Sequence, residues 1–275
     1  MLFLIYTHHF FIPLCCNPLF ADICEMFDRG QKYVFLGSCF AQHIGGKMGS
    51  EGYDVVCNPL GTLFNPESIR LTVRQSLYGN EATLPMFMDS AMQEWRCWWA
   101  NTRFRADSES VARVMIQDAY NGLGQDLRKA DRVFLTLGTN VCYRLVNEGL
   151  VVSNCQRQPD MLFEEETLSF DEVCSSLRDT LDCLLGANPE LRITFTVSPY
   201  RYRKYGWHRS QLSKAVLLLS IDNMVGLYGE RVDYFPSYEI MMDELRDYSY
   251  YAPDGLHPSE GAVDIIWKRL CESQP

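Results

Sequence analysis

Basic residues are in short supply. The chain carries 25 lysines and arginines against 35 aspartates and glutamates, a net charge of −10, and no long basic run offsets the deficit. Binding to nucleic acid or anionic membrane rests on neutralising phosphates, so neither is expected as a partner. A metal or disulfide framework is missing too. The eleven cysteines are odd in number and show neither CxxC nor Cys/His ligand spacing, and the adjacent Cys15 and Cys16 suit neither zinc nor a disulfide scaffold. That usage fits a reducing compartment, so the cytoplasm is the expected location, with no metal and no cofactor implied. Long apolar spans are also absent: residues 1–20 are apolar, but Pro13 and Pro18 interrupt them and no Lys or Arg precedes them as in a secretory signal. They read as an extended segment packed on the domain, with secretion or export to the periplasm the lesser alternative. Repeats, low-complexity tracts and Gly/Ser/Pro linkers are lacking, so the whole chain, 1–275, reads as one domain with an irregular aromatic-rich insertion at about 78–107.

What is present is an alternation of apolar runs and amphipathic segments. Tyr33–Leu36 is a buried strand, and Gly37 turns it into a helix whose Phe40, Ile44 and Met48 recur at helical spacing. Further strands are expected at Gly52–Cys57, Asp131–Leu137, Leu191–Val197 and Val232–Phe235. Helices are expected from Pro66 to Leu77, Ser108 to Leu127, Ser169 to Leu185, Gln211 to Tyr228, Pro236 to Tyr248 and Pro258 to Cys271. Five near-continuous apolar strands separated by helices predict an α/β fold: a mainly parallel five-stranded sheet in a three-layer α/β/α sandwich. Trp95, Trp98 and Trp99 read either as aromatics folded onto the domain or as a wall of a cleft.

In such a sheet the loops after the strands gather along one edge, where distant residues meet. Ser38 follows the first strand, at a helix N-terminus where free N–H groups and the helix dipole favour developing negative charge. His257 can take its proton through Nε2, and Asp254, three residues earlier, can accept from Nδ1–H and fix the tautomer. His257 precedes Pro258, which predicts that it caps the last helix. The backbone N–H groups of Ser38 and Gly61, with the amide of Asn140, are the expected oxyanion hole. Cys39 is the alternative nucleophile, although one step into the helix it is expected to point into the core. The loop holding Arg201, Arg203, Lys204, His208 and Arg209 reads as a solvated charged loop or a ligand edge.

Gly37-Ser-Cys-Phe-Ala41 is the motif that names the GSCFA family, and the chain resembles that family along nearly its whole length. Further matches include Asn58-Pro-Leu-Gly-Thr-Leu-Phe-Asn-Pro66, Thr136-Leu-Gly-Thr139, Gln211-Leu-Ser-Lys-Ala215 and His257-Pro-Ser259. The family looks like a branch of the SGNH/GDSL hydrolases. The resemblance implies a flavodoxin-like fold with Ser38, Asp254 and His257 as catalytic triad and Ser38, Gly61 and Asn140 as oxyanion donors. The chain departs from the family where Gln156 and Tyr202 stand at positions that often carry histidine. The implied activity is a serine esterase that removes a small, acetyl-like acyl group, with a small-molecule or carbohydrate ester as partner. O-acyl transfer on the same site and a non-catalytic carbohydrate- or peptidoglycan-fragment-binding module are the alternatives.

Overall fold

The computed structural model describes residues 27–273. The N-terminal segment expected to pack on the domain, with Cys15 and Cys16, lies outside the described residues. The elements in chain order are β1 (Lys32–Gly37), α1 (Cys39–Ser50), β2 (Asp54–Cys57), α2 (Pro66–Tyr78), β3 (Met86–Asp89), β4 (Glu94–Cys97), α3 (Glu109–Lys129), β5 (Arg132–Leu137), β6 (Val141–Leu145), β7 (Val151–Val152), β8 (Phe163–Thr167), α4 (Phe170–Ala187), β9 (Arg192–Val197), α5 (Trp207–Tyr228), β10 (Val232–Phe235), α6 (Ser237–Glu239) and α7 (Glu260–Glu272). Five strands form one parallel sheet in the order β10-β9-β5-β1-β2.

Alternation along the strands sends side chains to both faces. Val34, Leu36, Val133, Leu135, Ile193 and Phe195 join a core built with α2, α3, α4 and α5. Tyr33, Phe35, Phe134 and Phe235 join the opposite core with α1 and α7. Helices therefore cover both faces, as a fully buried parallel sheet requires. Phe35 and Phe134 stack across β1 and β5 with centroids 4.4 Å apart, a pairing that contributes about 1 kcal/mol beyond area burial.

Helix starts follow side-chain capping: Asn65 accepts from the Ser68 N–H, with Pro66 first in α2, and Ser108, Ser169 and Ser259 cap α3, α4 and α7. Two expectations are corrected here. His257 does not cap the last helix, because Ser259 supplies the acceptor and α7 begins at Glu260. The helix expected over Pro236–Tyr248 is only the turn α6 followed by a π-helical turn at Ile240–Glu244, after which Leu245 leaves helical geometry.

The segment expected to be irregular holds an antiparallel hairpin, β3 with β4. Residues 141–167 form a three-stranded antiparallel sheet in the order β7-β6-β8. Trp98 is buried, stacking on Phe87 at 3.7 Å and meeting Phe163 edge-on, and the indole N–H of Trp99 donates to the Val151 carbonyl at 2.9 Å. These tryptophans tie the hairpin to the small sheet.

The turn from β1 into α1 depends on Gly37. Its φ is +141°, and a Cβ placed there would sit 2.2 Å from the Thr136 carbonyl oxygen of the adjacent strand. Its N–H donates to Asn58 Oδ1 and its carbonyl accepts from the Leu63 N–H. Gly37→Ala must therefore strain the backbone and push β1 from β5. Urea denaturation is expected to show a loss of about 3 kcal/mol or more, and a loss below about 1 kcal/mol would contradict this account.

Candidate active site

A cavity of about 400 Å³ opens beyond the C-terminal ends of the sheet strands. The small sheet supplies Val141, Tyr143 and Val152, the loop after β9 supplies Tyr200, Tyr202, Lys204 and Tyr205, and Phe64, Asn65 and Thr139 come from the loops after β2 and β5. Cys39 and His257 line the same cavity. The basic loop is thus at the ligand edge of the sheet, although its wall is made mostly by tyrosine rings. None of the three neighbouring tryptophans lines this cavity.

Ser38 is fully buried and does not line the cavity. It is the N-cap of α1, in extended conformation, and its Oγ accepts from the Phe40 N–H at 3.3 Å. Its own N–H donates to the Thr136 carbonyl at 3.1 Å, and its carbonyl accepts from the Ala41 N–H. Each polar group of Ser38 is thus tied into the strand–helix junction, which corrects the expectation that its hydroxyl and N–H face a substrate. An N-cap residue packs inward here because Gly37 carries the chain over β5 before the helix starts.

Cys39, the first residue of α1, is the one that emerges. It is partly exposed at the cavity, contrary to the expectation that it points into the core. Burial pushes its thiol up, while the backbone N–H groups of Phe40 and of Cys39 itself, together with the Lys214 ammonium, pull the other way.

Asp254 and His257 meet as expected. His257 Nδ1 lies 2.6 Å from Asp254 Oδ2, and Asp254 Oδ1 accepts from the N–H groups of Leu256 and His257. The His257 side chain and those backbone donors hold the Asp254 carboxyl down to about 2. It is therefore an acceptor near neutrality, so Nδ1–H is the donor to it, and in the neutral form of the ring the lone pair falls on Nε2. The loop is braced by the Ala252 N–H to the His257 carbonyl (2.8 Å) and by the Arg201 N–H to the Leu256 carbonyl (3.1 Å). The Tyr200 ring packs against the imidazole at 4.4 Å.

The other two expected oxyanion donors are engaged elsewhere. The Gly61 N–H donates to the Asn58 carbonyl at 2.9 Å, and its positive φ and lack of a side chain serve the approach of Asn101, whose Cβ would lie 2.6 Å from an added Cβ. Asn140 is buried, its Nδ2 donates to the Leu168 carbonyl at 2.6 Å, and its Oδ1 has no partner. Asn65 does face the cavity. Its Oδ1 is held by the Ser68 N–H at 2.8 Å, which turns Nδ2 away from the helix it caps. In the sequence Asn65, followed by Pro66, reads as a helix cap, and nothing there marks it as a cavity residue.

Of the two departures from the family pattern, Gln156 is fully buried and donates to the carbonyls of Cys97 and Ala100. Tyr202 lines the cavity with a buried hydroxyl that has no partner. No group of three or more His, Cys, Asp or Glu among the described residues could hold a metal ion. No helix of the described residues is long and apolar enough to cross a membrane.

A family model described as "GSCFA family" matches residues 32–270. Comparison with curated protein sequences finds no match. Among solved structures, an acetyl xylan esterase from the rumen bacterium Butyrivibrio proteoclasticus is 13% identical, with 88% of this chain and 63% of that chain covered at a TM-score of 0.47. A family two carbohydrate esterase from Clostridium thermocellum, in complex with cellohexaose, is 12% identical over 88% of this chain and 62% of that chain, at 0.45. A carbohydrate esterase family 3 structure from Talaromyces cellulolyticus is 10% identical over 88% and 95%, at 0.40. The chain thus spans under two thirds of the first two of these. At these scores the likenesses say nothing about chemistry.

Proposed function

The chain belongs to the GSCFA family, and from that premise we propose that it is an ester hydrolase working through a thiol, with Cys39 as nucleophile, His257 as base and Asp254 orienting the base. One observation carries this: Cys39 and His257 line a common cavity, while the neighbouring Ser38 hydroxyl is buried in a helix cap. On this reading the protein is an SGNH-type hydrolase in which sulfur replaces the serine oxygen.

His257 Nε2 takes the Cys39 proton as the sulfur bonds to the ester carbonyl carbon and the carbonyl π pair moves onto oxygen. The N–H of Cys39 and the Nδ2 of Asn65 receive that oxyanion, at the positive end of α1. Collapse expels the alkoxide, which takes the proton from the His257 imidazolium and leaves a thioester on Cys39. Water then attacks the thioester with its proton going to His257, and the thiolate departs and is reprotonated. Asp254 remains ionised throughout and stabilises the imidazolium.

The rings of Phe64, Tyr143, Tyr200, Tyr202 and Tyr205 offer flat apolar faces edged with hydroxyls, suited to a sugar ring bearing a small acyl group. The test is to trap the intermediate. After acid quenching of turnover with p-nitrophenyl acetate, mass mapping is expected to find acetyl on the Cys39 peptide, released by neutral hydroxylamine as a thioester is. An acetyl on Ser38 that resists hydroxylamine, or unmodified Cys39 during turnover, overturns the thiol.

A further inference from the structure

The most unusual charge in the described structure is beneath this cavity. Lys214 is fully enclosed, on the face of α5 that also buries Ser210, Ser213, Leu217 and Ile221. Its Nζ donates to the carbonyl oxygens of Gly138 and Ser198, each at 2.6 Å. Those residues directly follow β5 and β9, so the ammonium sits where two central strands end. Among the described residues no carboxylate pairs with it: its neighbours are the rings of Tyr202, 5.3 Å away, and Tyr238, 5.6 Å away. Tyr202 also lines the cavity, beside Cys39.

A buried cation without an anion is costly, and two carbonyl dipoles offset only part of that cost. A neutral side chain could satisfy the carbonyls more cheaply. We propose that the Lys214 ammonium is the electrostatic partner of the Cys39 sulfur, held under the cavity to favour the thiolate and the oxyanion that follows it. Lys214 is on this account a positioning residue, and the inference rests on the Cys39 reading above.

Burial lowers the Lys214 pKa to about 7, with Cys39 the group that raises it. In return Lys214 pulls the thiol down, against burial and against the Asp254 carboxylate. Tyr202 is raised well above its usual value by burial and stays protonated, so it adds no charge of its own.

Two measurements test the pair. The first follows iodoacetamide alkylation of Cys39 across pH, located by mass mapping. Lys214→Gln, which keeps an N–H for a carbonyl and removes the charge, is expected to raise the midpoint by about one unit or more and to lower kcat about tenfold or more. Lys214→Arg is expected to keep the midpoint below that of the glutamine variant. The second follows the Lys214 ε-carbon by NMR in the wild type and in Cys39→Ser. Coupling is reciprocal, so the Lys214 midpoint is expected to fall in the serine variant. Identical Lys214 titration in the two proteins overturns the proposal, and this decides the matter alone if Lys214→Gln fails to fold. An unmoved alkylation midpoint in folded Lys214→Gln overturns it as well. If Cys39→Ala still hydrolyses esters while both shifts are seen, the nucleophile assignment falls and the charge pair stands. If Cys39→Ala is inactive and neither shift is seen, the pair alone falls.

Discussion

Cys39→Ala is expected to lower kcat for short aryl esters by about 10³-fold or more, while Ser38→Ala stays within a few-fold of the wild type and instead loses about 1 to 2 kcal/mol of stability. The two residues are adjacent, yet they do unlike work. Ser38 satisfies the Phe40 N–H at the start of α1 and is closed off from solvent, so alanine there leaves a buried donor without its acceptor. Cys39 faces the cavity with His257, so alanine there removes the atom to be acylated. Cys39→Ser separates the chemistry further, because an alcohol is a poorer nucleophile at its free pKa than a thiol and leans more on the base. Steady-state kinetics with urea denaturation on each variant checks the pair. The reverse pattern, an inactive Ser38→Ala of wild-type stability beside an active Cys39→Ala, would return the nucleophile to the serine.

His257→Ala and Asp254→Asn are expected to lower kcat/KM by about 10² to 10⁴-fold each. His257→Ala removes the base itself. Asp254→Asn retains the size of the side chain but removes the charge that selects the Nδ1–H tautomer, so Nε2 no longer presents a lone pair. Asp254 has its carboxyl depressed to about 2 by the His257 hydrogen bonds. A depressed carboxyl contributes its stabilisation above the ordinary carboxylate value of about 3.9 and loses it as pH falls through the folded value. The Asp254 contribution to the loop is therefore fully present above about pH 5 and fades progressively on acidification toward about 2. Protonation of Asp254 is accordingly expected to cost no kcat/KM at about pH 5 and above, where the carboxylate persists, and a pH profile of the wild type checks this. A loss of kcat/KM that follows Asp254 protonation above that pH would contradict the depressed carboxyl.

Much of the scaffold was legible because strands buried on both faces are largely apolar. Tyr33–Leu36, Arg132–Leu137 and Ile193–Val197 carry that signature, and the Asn65–Pro66 pair marks a helix start that the structure repeats. The antiparallel pieces were harder to read. Met86–Asp89 and Glu94–Cys97 are four-residue strands, too short for a clear period of two, and Phe163–Thr167 includes three successive glutamates that ordinarily speak against a strand. Lys214 did leave a signal: a lysine among the serines and leucines of a buried helical face is out of place unless something needs its charge.

The chain alone determined the layered α/β architecture, the edge at which its loops converge, and the Asp254–His257 pair, because each follows from local periodicity or from spacing within one turn. Only the tertiary structure decided which neighbour at the first strand–helix junction meets the cavity, and which amide rather than Gly61 or Asn140 faces it. The reason is that a junction residue's direction depends on how the backbone at Gly37 passes over β5 and where the Asn65 cap leaves its Nδ2, and both are set by strands and loops far away in sequence.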